Sequence, residues 1–466
     1  MPLFILKKMN KFINYVNVSI IFEDILEDFL KFNLNHSNLL LSLSPFKIHN
    51  PGKNLHLNKS QILNPHILKG RDIVVVGQEP WDIDTGSNCK NIAKEFSREN
   101  RVLYINSPLD RITLHRHKAD PKVIKRKNII KGNENGLVQI SEKLYNLYPD
   151  RINESINWIK NKTIFNFLNK INNKRFAKSI KKTIRLLGFT NIILFNDNDI
   201  FRCFYLKELI KPTLSIYYCR DYMTGVDYWK KHGENLEPKL IAKSDFCVAN
   251  SIYLSDYCKK HNPLSFYIGQ GCDLEIFNER AVQLIPPDIA AIPKPIIGYV
   301  GALNGLRLNI DIIESIALSN PAWNIVLVGP EDGLFSKSKL HQINNIHFLG
   351  IKEIAALPGY INQFNVCINP QIINEITIGN YPRKIDEYLA MGKPVVATKT
   401  EGMAIFNDHC YIASTVTDFI KMIELALTED NHKLKQERIK FAATHTWENS
   451  VGEIFAIINK KMIAPL

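Results

Sequence analysis

No stretch of the chain stays apolar for long enough to cross a bilayer as a helix, which excludes a helical membrane-embedded protein. The start, Met1-Pro2-Leu3-Phe4-Ile5-Leu6-Lys7-Lys8, is apolar before it is basic. That order is the reverse of a secretory signal, and no small-residue cleavage site follows, so a cytoplasmic protein is expected. The eight cysteines (Cys89, Cys203, Cys219, Cys247, Cys258, Cys272, Cys367 and Cys410) form no Cys-x-x-Cys pair. Their spacing excludes a zinc ribbon and, in a chain of this length, reads as reduced thiols rather than a disulfide framework. No metal is implied. Zinc fingers, a recognisable helix-turn-helix and an RNA-binding aromatic signature are all missing, so the net charge of +13 is not tied to nucleic acid. Acid is missing locally as well. Residues 160–185 hold nine Lys or Arg and no Asp or Glu, and residues 115–131 hold seven against Asp120 alone.

What is present is ordinary globular composition, 45% hydrophobic and 23% charged. At 466 residues the chain exceeds one typical core, and two domains are expected. Residues 1–69 form an extension in which Ile20, Ile21, Phe22, Ile25, Leu26, Phe29 and Leu30 recur at helical spacing opposite Glu23, Asp24, Glu27 and Asp28. No function is assigned to it. Residues 70–285 read as a first α/β domain. Its strands are expected at Arg71–Gly77, Val102–Ile105, Ile192–Phe195, Ser215–Cys219, Phe246–Asn250 and Ser265–Gly269, with a helix near Asn88–Glu99. A Pro-rich linker runs from Ile285 to Pro295. Residues 286–445 repeat the plan, with strands at Ile296–Gly301, Asn324–Val328, Ile346–Leu349, Asn365–Asn369 and Val395–Thr398. Residues 446–466 open a last helix. Strands alternating with helices predict parallel, doubly wound sheets.

The richest stretch is Tyr381-Pro382-Arg383-Lys384-Ile385-Asp386-Glu387-Tyr388-Leu389-Ala390-Met391-Gly392-Lys393-Pro394-Val395-Val396-Ala397-Thr398. Pro382 suits a first helical turn, Gly392 suits the residue past a helix end, and Pro394 forbids continuation. Val395, Val396 and Ala397 then read as a buried parallel strand. A helix N-terminus carrying Arg383, Lys384 and Glu387 can take a diphosphate at its amides and cations and a ribose at the carboxylate one turn on. An ordinary helix–turn–strand unit is the plainer reading of the same residues.

This stretch resembles the donor signature of GT-B glycosyltransferases, in particular glycosyltransferase family 4, at Pro382, Lys384 and Glu387 through Val396. The resemblance implies two Rossmann-like domains facing a cleft, with a last helix crossing back to the first domain. It also implies retaining, metal-independent transfer of a sugar from a nucleotide-diphosphate-sugar, which is a substrate and not a cofactor. Gly298-Tyr299-Val300-Gly301-Ala302 resembles the turn that brings backbone amides to the donor phosphates. Arg307 falls where relatives neutralise the diphosphate, and Lys384 would complete the pair. Asn345–Gly350 and Leu357–Tyr360 resemble the segments that seat the base, and Asn374–Thr377 would face the donor sugar. Family 4 carries two glutamates eight positions apart. The second matches Glu387, but the first falls on Gly379, so Glu375 is the candidate replacement, with a solvated loop acid as the alternative.

In the first domain, Gln78–Asp82, Gly86–Asn91 and Arg101–Arg111 resemble a polysaccharide-biosynthesis subgroup that includes teichuronic-acid-type enzymes. Asp82, Gly86 and Asn88 become cleft or acceptor candidates, although turn chemistry accounts for the same residue types. Asp221, after Tyr217-Tyr218-Cys219-Arg220, is the candidate for orienting the acceptor hydroxyl; a helix N-cap is the other reading. Gln270–Phe277 resembles the inter-domain connection. Asp197-Asn198-Asp199 has the metal-binding look of the other main glycosyltransferase fold, but lies in the domain opposite the donor signature. The basic segment 160–185 carries an apolar stripe (Trp158, Ile164, Phe165, Phe167, Leu168, Ile171, Phe176, Ile180, Ile184) that suits either an anionic leaflet or the protein core. A glycan or lipid-linked acceptor, possible contact with the inner face of the plasma membrane and no nucleic acid complete the expected partners. An epimerase of the same fold and a non-catalytic glycan- or membrane-binding relative stand as alternatives.

Overall fold

The structure, a computed structural model, describes residues 65–83, 87–282 and 284–463. The expected helix within residues 20–30 and the candidate Gly86 lie outside them. Two sheets organise the described chain. The first has the order β3-β4-β2-β1-β5-β6-β7-β8. Its strands are β1 (Asp72–Val76), β2 (Arg101–Ile105), β3 (Leu137–Ser141), β4 (Leu144–Leu147), β5 (Ile193–Asp197), β6 (Leu214–Cys219), β7 (Phe246–Ala249) and β8 (Ser265–Tyr267). All neighbours are parallel except β3 and β4.

The second sheet, wholly parallel, has the order β11-β10-β9-β12-β13-β14. It is built from β9 (Ile296–Val300), β10 (Asn324–Val328), β11 (Ile346–Gly350), β12 (Val366–Asn369), β13 (Val395–Thr398) and β14 (Tyr411–Ala413). The central strands are apolar at nearly every position because both faces are covered. In β1, Ile73 and Val75 enter one core while Val74 and Val76 enter the core on the opposite face. Strand order reverses between β1 and β5 in one sheet and between β9 and β12 in the other, which is where α/β sheets offer ligand crevices.

The helices that bear on the candidate residues and the basic segments are α1 (Asn88–Ser97), α2 (Pro121–Lys131), α3 (Lys162–Leu186), α4 (Asp227–Lys243), α5 (Arg383–Ala390) and α6 (Trp447–Ile463). Pro382 stands at the N-cap of α5, one position before the first helical residue. Gly392 takes the left-handed φ of +70° that ends such a helix without a Cβ penalty. In α3, Phe165, Phe176, Ile180 and Ile184 are buried, so the core accounts for that part of the apolar stripe. Trp158, Ile164 and Phe167 stay exposed beside the lysines. Part of the basic charge is met by the preceding loop, through Arg175–Glu154 at 2.7 Å and Lys182–Asp150 at 2.9 Å. Among the described residues no helix is long and apolar enough to cross a membrane.

The segment expected as a linker contains a short helix, Pro287–Ala290, whose Ile289 is buried in the second domain. Helix α6 packs into the first domain's core through Trp447, Val451, Ile454, Phe455 and Ile458. Where the chain passes between domains, the Cys272 amide donates to the His445 carbonyl at 2.8 Å, and Cys272 pairs with Thr446 in a parallel bridge.

Candidate active site

The carboxyl ends of both sheets open on one cleft of about 870 Å³. Its first-domain wall is made by Asn88 on α1, Arg220 and Asp221 after β6, Asn250 after β7, and Gln270. Its second-domain wall includes Gly301 after β9, Arg307, Asn369 at the end of β12, and the α5 residues Arg383, Lys384 and Glu387. Six of the sequence candidates therefore share this space: Asn88, Asp221, Gly301, Arg307, Lys384 and Glu387. Asp82 does not line it. Its carboxylate turns to Arg126 on α2 at 3.3 Å and its carbonyl takes the Lys122 ammonium. Glu375 does not line it either; its side chain is 67% exposed and sits 3.6 Å from Lys230 of the first domain.

On α5, spacing and burial act together. No side chain caps the helix start; the Arg383 and Ile385 amides donate instead to the Tyr381 and Pro382 carbonyls, at 3.0 and 2.8 Å. Lys384 donates to the Tyr299 hydroxyl at 2.8 Å and lies over that ring, beside Gly301. Arg383 reaches Glu387 at 3.1 Å, one turn away. Burial pushes the Glu387 carboxyl above the ordinary range, and Arg383 and Lys384 draw it back down. The Arg307 guanidinium is exposed to the cleft and has no partner among the described residues. Behind the helix, buried Asp386 accepts from the Tyr381 hydroxyl at 2.8 Å and contacts His445 Nδ1 at 2.7 Å. This fixes α5 to the segment entering α6.

Opposite, the Asp221 carboxylate is not a helix cap. It is held at 3.2 Å by Arg220, whose guanidinium also binds Asp197 at 2.8 Å and Glu79 at 2.6 Å. Asp197 is fully buried; burial raises its carboxyl and Arg220 pulls against that shift. The Asp-Asn-Asp segment is thus a support. Asn198 Oδ1 accepts the backbone amides of both Arg220 and Asp221, at 2.9 and 3.0 Å. Asp199 accepts the Arg202 amide at 2.8 Å and pairs with its guanidinium. Sequence reading missed Arg220 as an organiser because its partners come from separate strand ends.

Gly379 explains its own departure from the expected glutamate. A Cβ there would stand 2.0 Å from the Tyr253 ring, and the Ser251 hydroxyl donates to the Gly379 carbonyl at 2.6 Å. The first domain packs against this position so closely that no side chain fits. Arg383 also reaches Asn88 across the cleft at 3.4 Å.

A family model, Glycosyl transferases group 1, matches residues 294–429, which span the second sheet from just before β9 through β14. Over 233 residues the chain is 24% identical to TuaH of Bacillus subtilis (strain 168), whose name assigns it to teichuronic acid biosynthesis as a glycosyltransferase. That alignment covers 47% of this chain and 58% of the Bacillus protein. Among solved structures, α,α-trehalose 6-phosphate synthase from Burkholderia multivorans superposes with a TM-score of 0.63 at 10% identity, covering 86% of this chain and 100% of that one. HepE of Anabaena, solved with UDP, gives a TM-score of 0.58 at 13% identity, covering 85% and 100%. At such identities these matches establish the fold. The chain has the GT-B fold, and its second sheet lies within the segment that matches the group 1 glycosyl transferase model.

Proposed function

We propose that the protein transfers a sugar from a nucleotide-diphosphate-sugar, bound on the glycosyl transferase domain, to a polysaccharide or lipid-linked glycan acceptor bound on the first domain. The observation that carries this reading is the convergence of Arg307, Lys384 and Glu387 on one cleft wall opposite Asp221. Two cations, Arg307 from a loop and Lys384 from the first turn of α5, meet the two-phosphate charge, and each charge-assisted contact contributes about 1.5–3 kcal/mol. Glu387 accepts from ribose hydroxyls one helical turn below. As the glycosidic bond breaks, Lys384 and Arg307 stabilise the growing negative charge on the leaving diphosphate, without need of a metal. Asp221, steered by Arg220, orients the acceptor hydroxyl. Retention of configuration follows from the family 4 resemblance of the Pro382–Val396 segment.

Support comes also from the relatives: HepE has been solved with UDP and with UDP-glucose, and TuaH is named for teichuronic acid biosynthesis. A membrane-bound acceptor would bring the enzyme to an anionic leaflet. The exposed Trp158, Ile164 and Phe167 beside Lys160 and Lys162 offer the surface for that contact.

The deciding experiment follows nucleotide diphosphate release from a panel of nucleotide-sugars, with and without membrane extract, for wild type and Glu387→Gln. Donor-specific release that requires extract and collapses in the variant is expected. Release of an epimer or free sugar without extract would identify an epimerase. Absence of both turnover and donor binding in folded protein would leave a binding module.

A further inference from the structure

Helix α3 carries no Asp or Glu, and its cations sort into two sets. Arg175 and Lys182 turn to Glu154 and Asp150 of the preceding loop. Lys170, Lys174, Lys178, Lys181 and Arg185 fall within an arc of about 80° on the helix surface, as a stripe about 22 Å long. All five are exposed. Lys170, Lys178, Lys181 and Arg185 make no ion pair among the described residues; Lys181 donates to the Leu209 carbonyl and Arg185 to the Lys181 carbonyl. The stripe has a direction. Asn173 Nδ2 donates to the Phe201 carbonyl, past the carboxyl end of β5, while Arg185 shares a cavity with Ile192, at the amino end of β5. It therefore runs from the cleft end of the first sheet towards the opposite end. That cavity, of about 330 Å³, is lined by Ile184, Ile192 and Ile210 together with Lys178, Lys181 and Arg185.

Successive members of the stripe stand three or four residues apart, where like charges destabilise a helix. A linear polyanion laid along it relieves every one of those repulsions. The apolar surroundings decide which polyanion. An anionic leaflet takes an apolar anchor among the cations. Trp158, Ile164 and Phe167 all precede Lys170, and no large apolar side chain is exposed between Lys170 and Arg185. Single-stranded nucleic acid stacks its bases on aromatic side chains, and the stripe exposes none. A chain of acidic sugars needs neither feature. Each uronate ring offers a carboxylate to a cation and a face of C–H groups to the isoleucines of the cavity. We propose that α3 is a docking track for an acidic polysaccharide, holding the body of the acceptor chain while its end lies in the cleft. This names the acceptor's chemistry, and so rests on the polysaccharide reading of the function proposed above.

The test uses the full chain as wild type, as a stripe variant (Lys178→Glu, Lys181→Glu and Arg185→Glu together) and as a control (Lys118→Glu, Lys127→Glu and Lys131→Glu together). The control makes the same charge change at other exposed sites of the first domain, so both variants keep the fold. Fluorescence anisotropy follows labelled oligogalacturonates from the dimer to the dodecamer, with labelled dextran as the neutral chain. Poly(U) is followed in the same way, and phosphatidylglycerol vesicles by co-sedimentation. No nucleotide-sugar is present, so the result stands whether or not the protein proves to be a transferase. Wild type and control are expected to bind the oligogalacturonates with an affinity that rises with length, levels off once the oligomer spans the stripe, and weakens with salt. Dextran should not bind, and the stripe variant should lose affinity by at least about tenfold. Absence of binding by wild type, equal losses in the two variants, or an affinity independent of length overturns the proposal. Tighter binding of the vesicles or of poly(U), lost in the stripe variant, gives the helix to a leaflet or to nucleic acid and overturns it equally.

Discussion

Arg220 concentrates the strongest residue-level constraint in the first domain. Its guanidinium satisfies Asp197, Glu79 and Asp221 together, and Asp197 has no exposure at all. Replacing it with Met should leave a buried carboxylate unpaired and lower the unfolding free energy by about 3–5 kcal/mol in urea titrations. Asp197→Asn in the same background should recover most of that loss. On the opposite wall, Glu387→Gln should weaken nucleotide binding by roughly ten- to a hundredfold, measured by calorimetry, while the thermal midpoint changes little. The two sites differed in how far sequence could reveal them. Lys384 and Glu387 lie on one face of one short helix, so spacing alone joins them. Arg220 and Glu79 are 141 residues apart, and Ser251 and Gly379 are 128 apart, so only the folded chain shows those meetings. Asp82 and Glu375 illustrate the converse: residue type and position suited the cleft, but each had a cation elsewhere to satisfy it.

Among the elements, the buried strands were legible because continuous Val, Ile and Leu runs demand cover on both faces. The β3–β4 hairpin escaped because β3 is mostly exposed and lies at the sheet edge, where no apolar pattern is needed. Strand β14 escaped because three residues carry too little signal. Helix α4 holds an element-scale surprise in Glu237. It is buried, and among the described residues its partners are two hydroxyls, Tyr217 at 2.6 Å and Tyr257 at 3.0 Å. Burial raises its carboxyl, against those two donors, above the ordinary carboxylate range. The folded state therefore holds this proton more tightly than the unfolded state does. The resulting stability is fully present below the ordinary carboxylate pKa and is lost as pH rises through the raised value. Glu237→Gln should remove that part of the pH dependence and raise the midpoint at neutral pH relative to wild type, as followed by thermal unfolding across pH 4–8.

For the whole molecule, the first domain is completed by residues that follow the second. Trp447, Val451, Ile454, Phe455 and Ile458 lie in its core, and the Phe455 ring stacks 5.5 Å from Phe96. Burying five such side chains contributes on the order of 10 kcal/mol, comparable to the entire stability of a domain. Deleting residues 447–466 should abolish cooperative unfolding of the first domain in calorimetry, whereas Phe455→Ala should cost about 3–5 kcal/mol and leave the fold intact. The same route has a mechanical meaning. The chain passes between the domains at Cys272 and returns beside it at Thr446, and the two passages are stitched by a backbone hydrogen bond. A body tethered at one point can swivel about any axis. Two parallel tethers fastened edge to edge suppress twist and leave a single bending freedom, like a flat strap rather than a cord. The packing of Tyr253 against the bare backbone of Gly379 is then the one alignment that this strap holds between the halves of the site.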